Sequence, residues 1–189
     1  MSADRALILI DFQTGFQSPV WGARNNPDAE RNAQSLLDAC RNGNVPVLHV
    51  RHISTEPGSP LGPETGGTTF LPGLEPYGAE PVYEKSVNSA FIGTGLDADL
   101  RANGISRLII CGLTTPHCVS TSCRMAANLG FDVTLAHDAC AAFAANADMT
   151  WCPGADALLP QTIHDTAIAH LHGEFVTART TAKIVAEIG

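Results

Sequence analysis

The sequence predicts an α/β domain in which a mostly parallel sheet carries helices on both faces. Three observations predict it. Short β-branched apolar runs recur along the whole chain and alternate with segments of helical spacing. The clearest runs are apolar throughout rather than alternating, as expected of strands covered on both faces. The 189 residues, 44% hydrophobic and 16% charged, have the size and composition of one globular domain with a full core.

The first strand is residues 6–10, Ala-Leu-Ile-Leu-Ile, and it runs into Asp11-Phe12-Gln13. An ionisable residue at the end of such a strand stands where α/β folds place function. The competing reading of Asp11 is an N-cap or turn aspartate. Residues 14–27 form a Gly/Asn/Pro-rich loop whose Phe16 and Trp21 either line a pocket or seal the loop against the core. Asp28 starts a helix through Cys40, with Leu36 and Leu37 inward and Gly43 as its stop. Residues 45–50 are the second strand.

Residues 54–81 are rich in Gly and Pro and too long for an idle connector, so they read as a lid or subunit-contact loop. Val82–Lys85 is a short strand closed by Lys85, and residues 86–91 turn into a helix over residues 96–102. Gly93-Thr94-Gly95 lacks the strand–turn–helix setting of a dinucleotide fingerprint, and no cofactor is expected.

Residues 107–111 are the fourth strand, ended by Gly112. A tight turn, Thr114-Thr115-Pro116-His117, leads to a helix that starts at Cys118 and stops at Gly130. Residues 131–135 are the fifth strand, with His137-Asp138-Ala139 at its end. Residues 141–160, including Trp151 and Pro153, are irregular. Residues 161–171 form a helix with Ile163, Ala167, Ile168 and Leu171 on one face. Residues 174–177 are a last strand and 180–188 a closing helix. There is no internal repeat, so residues 1–189 are expected to form a single domain.

Charge narrows the partners. A formal net charge of −8 with no basic run argues against nucleic acid and anionic membrane surfaces. No apolar run is long enough to span a bilayer. Met1-Ser2-Ala3-Asp4-Arg5 leads straight into the first strand, without the pattern of a signal peptide. A cytoplasmic protein acting on a small molecule is the expectation. The six cysteines, Cys40, Cys111, Cys118, Cys123, Cys140 and Cys152, form no CxxC pair, and a disulfide framework is not expected in such a chain. Cys118 and Cys123 have the wrong spacing for a zinc knuckle. The five other than Cys118 read as small hydrophobes.

A strand, a sharp turn and a cysteine at the first turn of a helix make a nucleophile-elbow arrangement. The helix N-terminus favours thiolate over thiol, and its N–H groups can stabilise an oxyanion. Asp11, Lys85 and Cys118 each sit at or just past a strand C-terminus, and in a parallel sheet all such ends lie on one side. They can therefore meet. A carboxylate could take the thiol proton, and an ammonium would favour thiolate and hold the carboxylate.

These pieces carry a resemblance. Leu7-Ile8-Leu9-Ile10-Asp11-Phe12-Gln13, Lys85 with Ser89-Ala90-Phe91, Gly112 to Val119, and Gly130-Phe131-Asp132-Val133 with Asp138-Ala139 are similar to the isochorismatase-like cysteine hydrolases. That group includes nicotinamidase and N-carbamoylsarcosine amidase. The resemblance covers nearly the whole chain. It implies a three-layer α/β/α domain with a six-stranded parallel sheet, and a homo-oligomer, dimer or tetramer. It implies Asp11 as general base, Lys85 as supporting cation and Cys118 as nucleophile. It also implies a cis peptide at Leu113–Thr114, with the Thr114 and Cys118 N–H groups as oxyanion donors.

The chain departs from parts of the family. True isochorismatases lack the cysteine, so its presence argues against vinyl-ether hydrolysis. Nicotinamidases carry a metal-binding Asp-x-His…His segment, whereas His49 and His52 here have no acidic partner at matching spacing, and no metal is expected. Phe16, Trp21, Phe91, Thr115 and His117 are the expected substrate pocket, although His117 could instead merely finish its turn. His137, His164, His170 and His172 read as structural or solvated. The expected reaction is hydrolysis of a small amide, ureido or lactam C–N bond. Two alternatives stay open: a thiol redox protein pairing Cys118 with Cys123 or Cys111, and a non-catalytic binding or scaffold protein of the same fold.

Overall fold

The computed structural model describes residues 4–188; Met1, Ser2, Ala3 and Gly189 lie outside the described residues. Eleven elements make the frame: β1 Arg5–Ile10, α1 Ala29–Asn42, β2 Val47–His52, β3 Val82–Lys85, α2 Leu96–Ala102, β4 Arg107–Leu113, α3 Ser120–Asn128, β5 Asp132–Ala141, α4 Pro160–Ala169, β6 Thr177–Arg179 and α5 Thr181–Ile188. The six strands form one sheet in the order β3-β2-β1-β4-β5-β6, and every neighbouring pair is parallel.

That order reverses direction between β1 and β4, which makes their C-terminal ends the topological switch point of the sheet. Right-handed crossovers put α1 on one face and α2, α3 and α4 on the other. Arg101 of α2 donates to the Leu129 carbonyl behind α3 (2.8 Å), and Arg124 of α3 donates to the His170 carbonyl behind α4 (3.2 Å). The strands are apolar because both faces are covered: Ala6 to Ile10 of β1 are all buried. Among the described residues, no helix is long and apolar enough to cross a membrane.

Gly112 sets the spacing at the switch point. It pairs with Ile10 at φ 148°, and a methyl group there would be driven into the Ile10 carbonyl and to 2.7 Å from the Ile10 Cβ. Absence of a side chain is what lets β4 close on β1 beside Asp11.

Three boundaries differ from the sequence expectation. Strand β5 runs on to Ala141, so His137, Asp138 and Ala139 lie within it rather than beyond it. The register against β4 slips from Ile110↔Leu135 to Gly112↔Cys140, and this irregularity absorbs the polar residues. Asp138 then accepts the Thr181 N–H at 2.7 Å and its hydroxyl at 2.8 Å, anchoring the start of α5. Strand β2 ends at His52, because His52 is paired with Lys85 of β3. Strand β6 begins only at Thr177, because residues 173–176 turn back on Leu171, whose carbonyl accepts the Phe175 and Val176 N–H groups.

The long segment between β2 and β3 is stitched to the exit of β1. Leu71 N–H donates to the Phe12 carbonyl (2.9 Å), Thr14 N–H to Thr69 (2.8 Å) and Gly15 N–H to Gly67 (2.9 Å). Leu61, Leu71 and Leu74 are buried beneath it. Gly15 and Gly67 meet backbone to backbone: a methyl group on Gly67 would stand 2.8 Å from the Gly15 Cα.

Candidate active site

Each strand end delivers one polar residue. Asp11 leaves β1 at φ 55°, a left-handed conformation uncommon for a residue with a side chain. Its N–H donates to the Val50 carbonyl at 2.9 Å and its own carbonyl accepts the Gln13 N–H at 2.8 Å. The bend holds its carboxyl fully buried at the switch point. Lys85 is the last residue of β3. Cys118 follows β4 within a wide turn, Thr115–Val119, in which the Val119 N–H reaches back five residues to the Thr114 carbonyl (3.2 Å). The sequence expectation started the helix at Cys118; α3 proper begins at Ser120. Such π-type turns recur at functional sites because they re-aim a side chain. The Leu113–Thr114 peptide just before it is cis.

Three distant residues meet there. The Lys85 ammonium donates to Asp11 Oδ2 at 2.6 Å and to Cys118 Sγ at 3.3 Å, and it stands 3.2 Å from His52 Nδ1. Lys85 and Asp11 side chains are both sealed from solvent. Asp11 Oδ1 is a buried acceptor with no hydrogen-bond partner. The thiol reaches Asn88 Oδ1 at 3.7 Å.

The electrostatics correct one expectation. Helix end and ammonium were expected to hold Cys118 as thiolate. Burial, and then the Asp11 charge, outweigh Lys85 and push the thiol up to about 12. Burial also raises Asp11, more than the Lys85 ammonium lowers it, which makes its carboxylate a stronger base than an ordinary aspartate. His52 is pushed down to about 4, first by burial and then by Lys85. A neutral imidazole can accept from the ammonium through Nδ1.

His52 is a member of the site that sequence reasoning weighed as a metal ligand or as a loop or core histidine. Gln13 fixes it: its Oε1 accepts the His52 N–H (2.7 Å) and its Nε2 donates to the His52 carbonyl (2.9 Å). Asp11, His52 and Cys118 offer ligand atoms within 4.8 Å of one another, a spacing a metal ion could use. The Lys85 ammonium is within hydrogen-bond range of all three, so a cation already stands between them. His49 does have an acidic partner, one the sequence spacing did not suggest. Glu80 Oε2 lies 2.9 Å from its Nε2, and Arg41 binds the same carboxylate at 2.8 Å. That network is on the other side of β2, within the packing.

Above the sulfur is a cavity of about 450 Å³. Of the expected pocket residues, Phe16, Trp21 and His117 line it, together with Thr114 and Cys118. Phe16 and Trp21 pack at 5.1 Å between ring centroids, and the indole N–H is held by the Gly15 carbonyl (2.8 Å). Phe91 and Thr115 stand elsewhere. Phe91 stacks on Phe131 between α2 and α3 (6.1 Å), and Thr115 is fully buried with its hydroxyl 2.8 Å from His164 Nδ1. Thr115 is turned under the bend from which Thr114, His117 and Cys118 reach the opening, and Phe91, half-buried on the loop before α2, packs on Phe131 instead. Asn88 and Asn146 supply walls that no sequence signal marked, and Ser54, Thr55, Glu56, Ser59 and Leu61 add the start of the long segment expected to be a lid or subunit-contact loop. Cys111 and Cys123 are fully buried, and burial raises their thiols well above the usual range.

Comparison with known proteins shows the family and the fold. The family model described as "Isochorismatase domain" matches residues 5–183. An uncharacterised isochorismatase family protein of Bacillus subtilis, YrdC, is 40% identical over 98% of this chain and 96% of its own. The crystal structure of a member of the isochorismatase family from Chromobacterium violaceum superposes with a TM-score of 0.91 at 41% identity, covering 100% of this chain and 96% of that one. Streptothricin hydrolase of Streptomyces noursei is 35% identical over 74% of this chain and 50% of its own length.

Proposed function

Since the chain belongs to the isochorismatase family of hydrolases, we propose that it hydrolyses a small amide, ureido or lactam C–N bond through a thioester on Cys118. The observation that carries this is the Lys85 ammonium joined at once to Asp11 (2.6 Å) and to the sulfur (3.3 Å) on the floor of the cavity. The similarity to streptothricin hydrolase supports hydrolysis as the reaction type.

In this reading Asp11 takes the thiol proton as sulfur attacks the carbonyl carbon. A thiol near 12 is a poor nucleophile alone, so attack and proton transfer go together. The N–H groups of Thr114 and Cys118 receive the developing oxyanion. Asp11 returns the proton to the leaving nitrogen, which departs as amine or ammonia, or from a lactam stays tethered as an amine on the opened chain, and leaves a thioester. Water, deprotonated by Asp11, adds to the thioester; the acid is released and the sulfur regains a proton. Lys85 keeps its charge throughout and offsets the negative charge that moves between oxygen and sulfur. The reading needs no metal, since the Lys85 ammonium already supplies a positive charge to Asp11, His52 and Cys118. The working form is a homo-oligomer, as the family resemblance implies.

Intact mass after mixing with a panel of small amides tests the reading. An acyl adduct on Cys118 that disappears in Cys118→Ala is expected. A disulfide between Cys118 and another cysteine, or no change with any amide, would replace it with the redox or the scaffold reading.

A further inference from the structure

The cavity wall carries an unusual charge balance. No lysine or arginine lines it. Three arginines are committed to other carboxylates: Arg51 to Glu84, Arg41 to Glu80 and Arg24 to Glu30. Lys85, buried in the floor, is matched one-for-one by Asp11. The single carboxylate on the wall is that of Glu56, which makes no ion pair among the described residues. It is exposed at the rim, on a turn fixed by Glu56 N–H to Ser54 Oγ (3.2 Å) and Ser59 N–H to the Glu56 carbonyl (3.2 Å). Around it the wall is hydroxyl-rich: Ser54, Thr55, Ser59 and Ser86. The two imidazoles on the wall, His52 and His117, are both shifted down by desolvation and add no positive charge near neutral pH.

A ligand carboxylate entering this cavity would lose water and find no cation, a steep penalty for an ion. The rim charge and a chain of net charge −8 would also repel it on approach. An ammonium or amidinium group meets the opposite situation. Resting on the hydrolase reading above, we propose that the substrate is an amide whose remote end is uncharged or cationic. Glu56 is the specificity-determining residue that faces this end, and carboxylate-bearing amides are excluded.

The test reads the cavity through the thiol itself. Methanethiosulfonates carrying ethylammonium, hydroxyethyl or ethylsulfonate groups are reacted with the native protein. Labelling at Cys118 is followed by peptide mass, which separates it from the half-exposed Cys152. Rates are divided by those for a small thiol in solution. The cationic reagent is expected to exceed the anionic one about tenfold or more, and Glu56→Gln or molar salt is expected to shrink that ratio several-fold. An anionic reagent that keeps pace with the cationic one overturns the proposal, as does a ratio unchanged by both Glu56→Gln and salt. None of this needs turnover, so failure of the hydrolase reading would show separately, as absence of an acyl adduct. If turnover is found, kcat/KM across amides of equal size and differing charge should follow the same order.

Discussion

The floor and the rim of the cavity are built on opposite plans. The floor is made of strand ends: Asp11, Lys85 and Cys118 are all under 9% exposed and tied to one another by the ammonium. The rim is made of loops, with Glu56 and Thr55 exposed and Trp21 only half covered. A floor fixed by sheet register can hold reacting atoms within tenths of an ångström, which proximity catalysis demands. A rim carried on loops can change its side chains without disturbing that register. The contrast implies that chemistry resides below and selection above.

Variants at the floor should cost most and should act on kcat. Cys118→Ala is expected to lower turnover by about 10⁴-fold or more, read as product release from a verified substrate. Asp11→Asn should leave a folded protein slowed by about 10²–10⁴-fold. If either variant kept near-normal rates, the floor would lose its claim to the chemistry. Lys85→Ala strands a buried carboxylate and should cost about 3–5 kcal/mol of stability in denaturant unfolding as well as activity. Asp11 also sets a pH signature. In the proposed mechanism its carboxylate form is required, and its pKa is raised by burial, so kcat/KM should fall as pH drops, through a limb lying above the usual aspartate value of about 3.9. The His52 imidazole, near 4, should add no limb at the usual 6.5. His52→Gln probes the support of Lys85: a loss of about tenfold in kcat with little change in KM is expected, because the ammonium loses one of its three neighbours. The rim comes last. Trp21→Ala should move KM by a few-fold and leave kcat close to native, and a large kcat effect there would erase the division between the two regions.

The same division decides what the sequence makes legible. Asp11, Lys85 and Cys118 could be placed from apolar runs alone, because a parallel sheet sends every strand end to one side. Phe16 and Trp21 were within reach as aromatics in a Gly/Asn/Pro-rich loop, and His117 because it directly precedes Cys118. His52 was not, since its role depends on the β2–β3 register that sets it opposite Lys85, and register is not written in either strand separately. The fate of Phe91 and Thr115 turned on which way a loop and a turn aim their side chains. Asp138 hid the length of β5, because a polar residue that anchors a later helix looks from its neighbours like the end of a strand. Glu56 and the serines around it carry no periodicity at all.

The meeting of Gly15 and Gly67 has a practical corollary for anyone wishing to redirect this enzyme. Those two backbones mate like halves of a clasp, one on the segment after β1 and one on the segment after β2. Grafting either loop from a relative without its counterpart would wedge a side chain into the join and tilt both walls at once. Exchanged together as a paired cassette, with both glycines kept, they should let a new opening be fitted over unaltered machinery.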